Sequence, residues 1–230
     1  MQGELESALF NLLGEQVEII GASRTDAGVH ALGQVVNFKC HPQTRLGVQG
    51  SSRGTIPSDK IAYAIRRFLP PDISLVSSEE VPLDFHARYS AKSKDYLYVC
   101  YRSPHVIPFL RRNALEVHPD INIERMREAS ACFIGKHDFS AFRNESDAPA
   151  DPVKTIYYFD VEERDKFVLF RVKGSGFLYR MVRNLVGTLL EVGRGRWETE
   201  DVREILLSGD RAAAGPTLPP HALYLLRVEY

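Results

Sequence analysis

The order of predicted helices and strands indicates an α+β protein. We expect two ferredoxin-like (RRM-like) halves, with antiparallel or mixed sheets and a central cleft. Residues 93–230 follow the order β-α-β-β-α-β, which is the ferredoxin-like order. Residues 1–92 follow α-β-β-α-β, so the opening strand of that order is missing. We therefore expect an N-terminal domain over residues 1–92 and a C-terminal domain over residues 93–230.

The N-terminal half begins with leucines at helical spacing. Leu5, Leu9 and Leu12 predict an amphipathic helix over residues 2–13 that ends at Gly14. The remaining elements of this half follow from apolar runs between clusters of turn residues. They are, in chain order, strands over 16–21 and 34–40, a polar loop over 41–54, a helix from Ser58 to Leu69, and a strand over 73–76.

The C-terminal half shows clearer periodicity. Its predicted elements are a strand over 95–101, a helix over 123–133, a hairpin of strands 155–163 and 167–174, helices over 177–192 and from Thr199 to Gly209, and a strand over 222–230. Gly187 lies in the middle of a helix, where glycine costs about 1 kcal/mol relative to alanine. Either another backbone approaches closely there, or the defect is tolerated.

Composition excludes several functional classes. The net charge of −1 argues against a globally basic nucleic-acid binder, although a local basic patch can still bind phosphates. No apolar run has membrane-spanning length, and the N-terminus lacks a signal-peptide pattern. Three widely spaced cysteines predict neither a disulfide framework nor a zinc site, which favours a reducing, cytoplasmic compartment (or an organelle). Basic residues do cluster around the helix over 177–192: Arg171, Lys173, Arg180, Arg183, Arg194 and Arg196.

The most informative segment is Ser-Arg-Thr-Asp-Ala-Gly-Val-His-Ala over residues 23–31. It is expected to form a loop between two strands, which limits the freedom of its side chains. Arg24 and Asp26 are two positions apart, and a nearby guanidinium favours the charged form of a carboxylate. An ionised carboxylate in a cleft acts as a nucleophile or a base. The alternative is that Asp26 caps a turn and Arg24 forms a surface ion pair.

The segment over residues 23–31 resembles the catalytic loop of the TruA family of tRNA pseudouridine synthases. Further blocks resemble that family in the same order and extend over nearly the whole chain. They are residues 33–38, 84–91, 137–142, 176–184 and 217–224. The family opens with a strand and a Tyr-Asp-Gly…Gly-Trp-Gln segment that this sequence lacks, so the resemblance implies an N-terminally shortened member. It also implies the pseudouridine synthase fold.

The resemblance implies roles for the charged candidates. Asp26 would be the catalytic carboxylate, which either attacks the anomeric carbon of the ribose or assists formation of a glycal intermediate. Arg183 would pair with Asp26, although a solvated arginine on the flank of the helix is the alternative. Arg24 would fill the space of the extruded base or contact phosphate.

The other substrate-binding candidates lie elsewhere in these blocks. Tyr96 would stack on the target base, although a core aromatic between strands is the alternative. Arg88 would form part of the cleft wall, and Phe139 and Arg180 complete the set. His30 is interpreted as ordering the loop and His137 as a packing or RNA contact, because the histidines lack metal-ligand spacing. Ser23 stands where the family has glycine, and a positive φ there would strain serine.

The implied activity is isomerisation of uridine to pseudouridine in the anticodon stem-loop of tRNA. The resemblance implies tRNA as the partner, no cofactor and no metal, no membrane, and a homodimer. Two alternatives remain open from the residues. One is a non-catalytic RNA-binding protein on the same scaffold. The other is a carboxylate-dependent hydrolase that uses Asp26 and His30, although no metal motif or elbow serine supports it.

Overall fold

The computed structural model describes residues 1–40, 56–145 and 151–230. The loop predicted over 41–54 lies outside the described residues. Contacts divide the chain into two compact units, Met1–Ser23 with Val35–Ser90 and Arg24–Gln34 with Ala91–Tyr230. The domain boundary between residues 92 and 93 stays a prediction. The loop that carries the central motif belongs to the second unit by its contacts.

The described residues form five α-helices and nine β-strands, several of them very short. The helices are α1 (Gln2–Leu13), α2 (Ile61–Ala64), α3 (Ile123–Ser130), α4 (Met181–Gly193) and α5 (Thr199–Ser208). The strands are β1 (Ile20–Gly21), β2 (His30–Ala31), β3 (Val36–Asn37), β4 (Ser93–Arg102), β5 (Leu115–Val117), β6 (Gly135–Asp138), β7 (Val153–Arg164), β8 (Phe167–Gly174) and β9 (Leu223–Glu229). None of the helices in these ranges is long and apolar enough to cross a membrane.

In the first unit, the amphipathic helix α1 packs its leucines into a small core. Leu9 and Leu12 of α1 are buried there with Ile65. The helix ends at Gly14, whose φ of 77° is left-handed and whose amide donates to the carbonyl of Phe10. The prediction for residues 2–13 is confirmed because spacing and cap agree.

The other elements of the first unit are shorter than predicted. Strands β1 and β3 pair antiparallel over only two residues each. Helix α2 is a single turn between 3₁₀ segments at Ser58–Lys60 and Ile65–Phe68. The strand predicted over 73–76 is wrong, since these residues have no ladder partner among the described residues and Val76 is highly exposed. An apolar run becomes a strand only when another strand supplies its hydrogen bonds.

The second unit contains one seven-stranded sheet. Its order is β2-β9-β4-β8-β7-β6, and β5 pairs with β4. The four strands β9, β4, β8 and β7 pair antiparallel along this path, and helices α3 and α4 supply the two crossovers. This is the ferredoxin-like arrangement that the element order predicted. The three remaining strands are additions, of which β2 pairs parallel with β9.

Helix α4 lies in the core of the second unit, and all its residues are buried. It begins at Met181, later than predicted, because Arg180 adopts a left-handed conformation with φ 60°. A Cβ atom at Gly187 would lie 2.0 Å from the carbonyl oxygen of Pro216. Another backbone therefore does approach this face of the helix, which decides between the two readings of Gly187.

Candidate active site

The loop that carries the central motif is held on the edge of the seven-stranded sheet. The amides of Leu32 and Gly33 donate to the carbonyl of Leu225, at 2.8 and 3.2 Å. A Cβ atom at Gly33 would lie 2.3 Å from the carbonyl oxygen of Leu226, so only glycine permits this approach. Leu226 is the extra residue of a β-bulge in β9, opposite the step between Asp95 and Tyr96.

A tight turn presents Asp26. The Val29 amide donates to the Asp26 carbonyl at 3.0 Å, and Gly28, the third residue of the turn, has φ 87°. This pattern is that of a type II turn, which favours glycine at the third position. Ser23, by contrast, does not have a positive φ, so the serine is not strained by that conformation. The turn itself thus needs Gly28, while the serine upstream is tolerated.

His30 anchors the loop immediately after the turn. Its Nε2 lies 2.8 Å from the carbonyl oxygen of Arg112 and 3.1 Å from that of His221. Because both partners are acceptors, Nε2 carries the proton. The ring also stacks on Tyr224 at 4.7 Å. These contacts support the interpretation of His30 as a residue that orders the loop.

The centre of the site is an ion pair between Asp26 and Arg183. Nη1 of Arg183 donates to Oδ2 of Asp26, and Nε of the same guanidinium donates to the Leu218 carbonyl at 2.5 Å. Arg183 comes from the first turn of α4, whereas Asp26 comes from the loop more than 150 residues earlier. The two residues that the sequence assigned to catalysis are therefore in direct contact.

Burial of this pair is uneven. The Arg183 side chain is 10% exposed, and the Asp26 side chain is 21% exposed. The alternative of a solvated arginine is therefore wrong. A guanidinium held at two of its nitrogens can orient a carboxylate more rigidly than a single point charge can. The arrangement provides an oriented carboxylate whose side chain remains partly exposed.

Aromatic side chains from β4 lie in the same unit. Tyr96 is buried, with its ring edge-on to Phe177 at 5.1 Å between centroids. Tyr98 is more deeply buried, and its hydroxyl donates to the Pro219 carbonyl at 2.8 Å. Burial raises the pKa of the Tyr98 phenol well above its ordinary value, which keeps it a neutral donor. Tyr98 thus supports the segment whose Leu218 carbonyl binds Arg183.

Comparison with known proteins decides the family. The model of a family described as tRNA pseudouridine synthase matches residues 1–90 and 129–230. The chain is 44% identical over 230 residues to tRNA pseudouridine synthase A of Acetivibrio thermocellus, covering all of this chain and 89% of the relative. It is 42% identical over 231 residues to the Ruminiclostridium cellulolyticum protein of the same name, and 39% identical over 230 residues to tRNA pseudouridine synthase A 2 of Bacillus cereus, with the same coverages.

The chain belongs to the tRNA pseudouridine synthase family. This membership agrees with the α+β architecture and with the antiparallel and mixed sheets described above. Among the residues in the three described ranges, no group of three or more His, Cys, Asp and Glu side chains could hold a metal ion. The Asp26–Arg183 pair is therefore the group of side chains that we consider for catalysis.

The other arginines predicted to bind substrate differ in their exposure and in their contacts. Arg24 is exposed on the motif loop. Arg180 is half-buried with its guanidinium 4.7 Å from the Tyr179 ring, and its buried Nε has no hydrogen-bond partner within the described ranges. Arg88 belongs to the first unit, where it is exposed and its guanidinium lies 5.6 Å from the Tyr89 ring.

Phe139 does not fit the role predicted for it. The ring is fully buried and meets those of Phe142 and His137 edge-on. It presents no surface to a ligand, so we leave it out of the proposed site. Nε2 of His137 donates to the Ile134 carbonyl at 2.9 Å, which makes His137 a packing residue. Aromatic type and motif position alone did not distinguish a core ring from a stacking ring.

The Leu218 carbonyl is the functional group that sequence reasoning missed. Residues 217–224 were recognised as a family block, but a main-chain acceptor has no side-chain signature. Its role follows only from the Nε contact of Arg183 and from the Leu218 amide, which lies 3.5 Å from the Arg183 carbonyl. The proline pair that follows Leu218 is the one available signal, because Pro219 and Pro220 restrict the backbone at this point.

Proposed function

We propose that this protein isomerises uridine to pseudouridine in tRNA, with Asp26 as the catalytic carboxylate. One observation carries the proposal. Asp26 is partly accessible, while the buried guanidinium of Arg183 binds one of its oxygens and is itself held by a main-chain carbonyl. Family membership supplies the reaction, and the names of the relatives supply tRNA as the substrate.

The reaction requires no oxidant and no reductant. The bond between ribose C1′ and base N1 breaks, the base turns, and a bond forms between C1′ and C5. The proton on C5 is then lost and N1 gains one. Asp26 either forms a transient bond to C1′ or removes a ribose proton on the way to a glycal, and both routes need an ionised, oriented oxygen. Arg183 supplies that orientation by holding Oδ2.

The other residues that the resemblance names receive supporting roles in the proposal. The resemblance assigns Tyr96 to stack on the detached base, where an aromatic face contributes about 1–3 kcal/mol per base. Most of its ring is packed as in a core aromatic, and the 6% of its surface that is exposed is the part available for that contact. Arg24 enters the space left by the flipped nucleotide, because extrusion leaves an unstacked gap in the RNA. Arg180 and Arg88 contact backbone phosphates, which position an RNA without reading its sequence.

The finer parts of the proposal rest on the family resemblance. It directs the activity to the anticodon stem-loop, and it implies that the protein works as a homodimer in the cytoplasm. It also implies that no cofactor is used, since the isomerisation conserves all atoms of the substrate except for exchange of one proton with water.

Release of tritium from tRNA labelled at C5 of uridine tests the proposal. We expect release by the wild-type protein and none above background by Asp26→Asn, which removes the charge with little change in shape. Binding of tRNA should be measured for both by filter retention. Equal binding without release from either protein would instead support a non-catalytic RNA-binding protein. Full activity of Asp26→Asn would exclude Asp26 as the catalytic group.

A further inference from the structure

The backbone of residues 214–218 lies directly against helix α4. This segment contacts Arg183 through the Leu218 carbonyl, whereas Asp26 contacts Arg183 through Oδ2. Two glycines permit this approach. A Cβ atom at Gly187 would lie 2.0 Å from the Pro216 carbonyl oxygen, and one at Gly215 would lie 2.6 Å from the amide nitrogen of Thr188. We call residues 214–218 the α4 strap. Its position relative to α4 is therefore set within narrow limits.

The Thr217 hydroxyl connects the strap to α4. It donates to Oδ1 of Asn184 at 2.6 Å and accepts from Nη2 of Arg211 at 2.9 Å. A hydroxyl has one donor and two acceptor sites, so both contacts can form together. Asn184 directly follows Arg183 in α4 and is fully buried. The hydroxyl thus ties the strap to the residue next to Arg183.

Asn184 is itself held in place from the other side. Its Nδ2 donates to the Phe142 carbonyl at 2.7 Å and to Oδ1 of Asn144 at 2.9 Å. The donors and acceptor of this amide all have partners, which fixes which way the amide faces. Thr217 therefore binds an acceptor that cannot rotate away without breaking two further hydrogen bonds.

Arg211 adds a second constraint to the strap. Its guanidinium donates to Asn184 at 3.1 Å and to the Ala214 carbonyl at 3.3 Å, besides Thr217. Among the described residues it makes no ion pair, and its buried Nε has no hydrogen-bond partner. Burial lowers the pKa of this guanidinium from its ordinary value. Placing a charge here without a carboxylate is costly, so its contribution lies in the geometry of its hydrogen bonds.

The strap ends at the group that holds Arg183. Leu218 follows Thr217, its carbonyl accepts from Nε of Arg183 at 2.5 Å, and its amide lies 3.5 Å from the Arg183 carbonyl. A shift of Thr217 therefore moves the Leu218 carbonyl. The guanidinium must follow this carbonyl or lose the hydrogen bond. In either case the geometry of its contact with Asp26 changes.

We propose that Thr217 is a positioning residue for catalysis, because its hydroxyl fixes the Leu218 carbonyl that orients Arg183 toward Asp26. The inference rests on the proposed role of Asp26. It adds a specific claim, that the chemical step depends on a hydroxyl that touches neither Asp26 nor the substrate. A merely structural role would instead change stability and leave the reaction rate of the folded protein intact.

Thr217→Val tests the claim, because valine keeps the shape of threonine and lacks the hydroxyl. We expect the single-turnover rate of tritium release to fall about ten- to a hundredfold, as for a small misplacement of a catalytic group. The dissociation constant for tRNA should stay within about twofold, since the hydroxyl makes no contact with substrate in the proposal. Thr217→Ser keeps the hydroxyl and should restore at least about half of the rate.

Two controls separate this claim from its alternatives. Thr199→Val changes the same residue type at the start of α5 and should leave rate and binding unchanged. Asp26→Asn, assayed in parallel, tests the proposed function independently of the role of Thr217. If Asp26→Asn is inactive and Thr217→Val reacts at the wild-type rate, the role of Thr217 is refuted and the proposed function stands. If Asp26→Asn is active, both are refuted.

Two further results would also overturn the inference. One is a rate loss in Thr217→Val that is matched by an equal loss of tRNA binding. The other is a rate loss that Thr217→Ser does not reverse. If Thr217→Val does not fold, Arg211→Lys decides by the same criteria. Lysine keeps the charge, but its single nitrogen cannot reproduce the spacing of the two guanidinium nitrogens that bind Ala214, Asn184 and Thr217. Arg203→Lys, on the exposed face of α5, is its matched control.

Discussion

Substitution of Arg183 by lysine separates the charge of the guanidinium from its geometry. Arginine reaches two partners with different nitrogens, Nε to the Leu218 carbonyl and Nη1 to Asp26. Lysine carries the same charge on a single nitrogen at the end of a flexible stem, so it can satisfy at most one of these partners well. Arg183→Lys should therefore keep a positive charge near Asp26 while losing the fixed orientation.

The size of the effect follows from the burial of the pair. Loss of the hydrogen bond to the Leu218 carbonyl, in a side chain that is 10% exposed, should cost about 1.5–3 kcal/mol of folding free energy. For a chain of this length, that corresponds to a decrease in Tm of about 3–12 °C. Arg183→Met should cost more, about 3 kcal/mol or above, because it leaves the Asp26 carboxylate unpaired. The single-turnover rate of Arg183→Lys should fall about a hundredfold.

The assay combines three measurements on the same preparations. Thermal unfolding by circular dichroism gives Tm, filter retention gives tRNA binding, and tritium release gives the rate of the chemical step. We expect Arg183→Lys to lose reaction rate out of proportion to its loss of tRNA binding. A lysine variant with the wild-type rate and Tm would refute this expectation, because orientation by two nitrogens would then contribute nothing measurable.

Two predictions concern the supporting structure. Gly187→Ala should destabilise the protein by about 1–3 kcal/mol or more, because the new methyl group meets the Pro216 carbonyl. Gly3→Ala, in the open first turn of α1, is the control and should be neutral or stabilising. Equal Tm values for the two variants would contradict this prediction. Hydrogen bonds from the hydroxyl and amide of Ser140 hold the pKa of the Asp138 carboxyl below its ordinary value. Since this depressed pKa stabilises the folded state only where the carboxyl is ionised, Asp138→Ala should lower the free energy of unfolding in urea at neutral pH, and the difference from wild type should shrink as the pH falls through the folded-state pKa. A difference that is independent of pH would show that ionisation of Asp138 does not matter.

The local sequence pattern was sufficient to predict those helices and strands whose packing and hydrogen-bond partners lie nearby in the chain. The helix over residues 2–13 was predicted with its ends, because leucine spacing and the glycine cap are properties of adjacent residues. The hairpin of β7 and β8 was also predicted, since its two strands pair with each other across a short turn. The strand predicted over 73–76 is wrong for the opposite reason, because a strand depends on a partner elsewhere in the chain.

In the candidate site, too, the structure agrees with the prediction for some residues and not for others. Asp26 and Arg183 were named from motif resemblance, and the structure places them in contact. Phe139 was named on the same basis and is a core residue. The difference lies in exposure, which depends on what packs over a side chain and is not encoded in the side chain itself.

By itself, the sequence determined the class of fold, the helices and strands with local partners, and the charged pair at the centre of the site. Only the tertiary structure decided that the motif loop joins the sheet of the second unit and that a backbone oxygen steadies the guanidinium. It also decided that Gly187 makes room for the α4 strap. The physical reason is that main-chain groups are the same at every position, so their contacts depend on how the chain returns to itself.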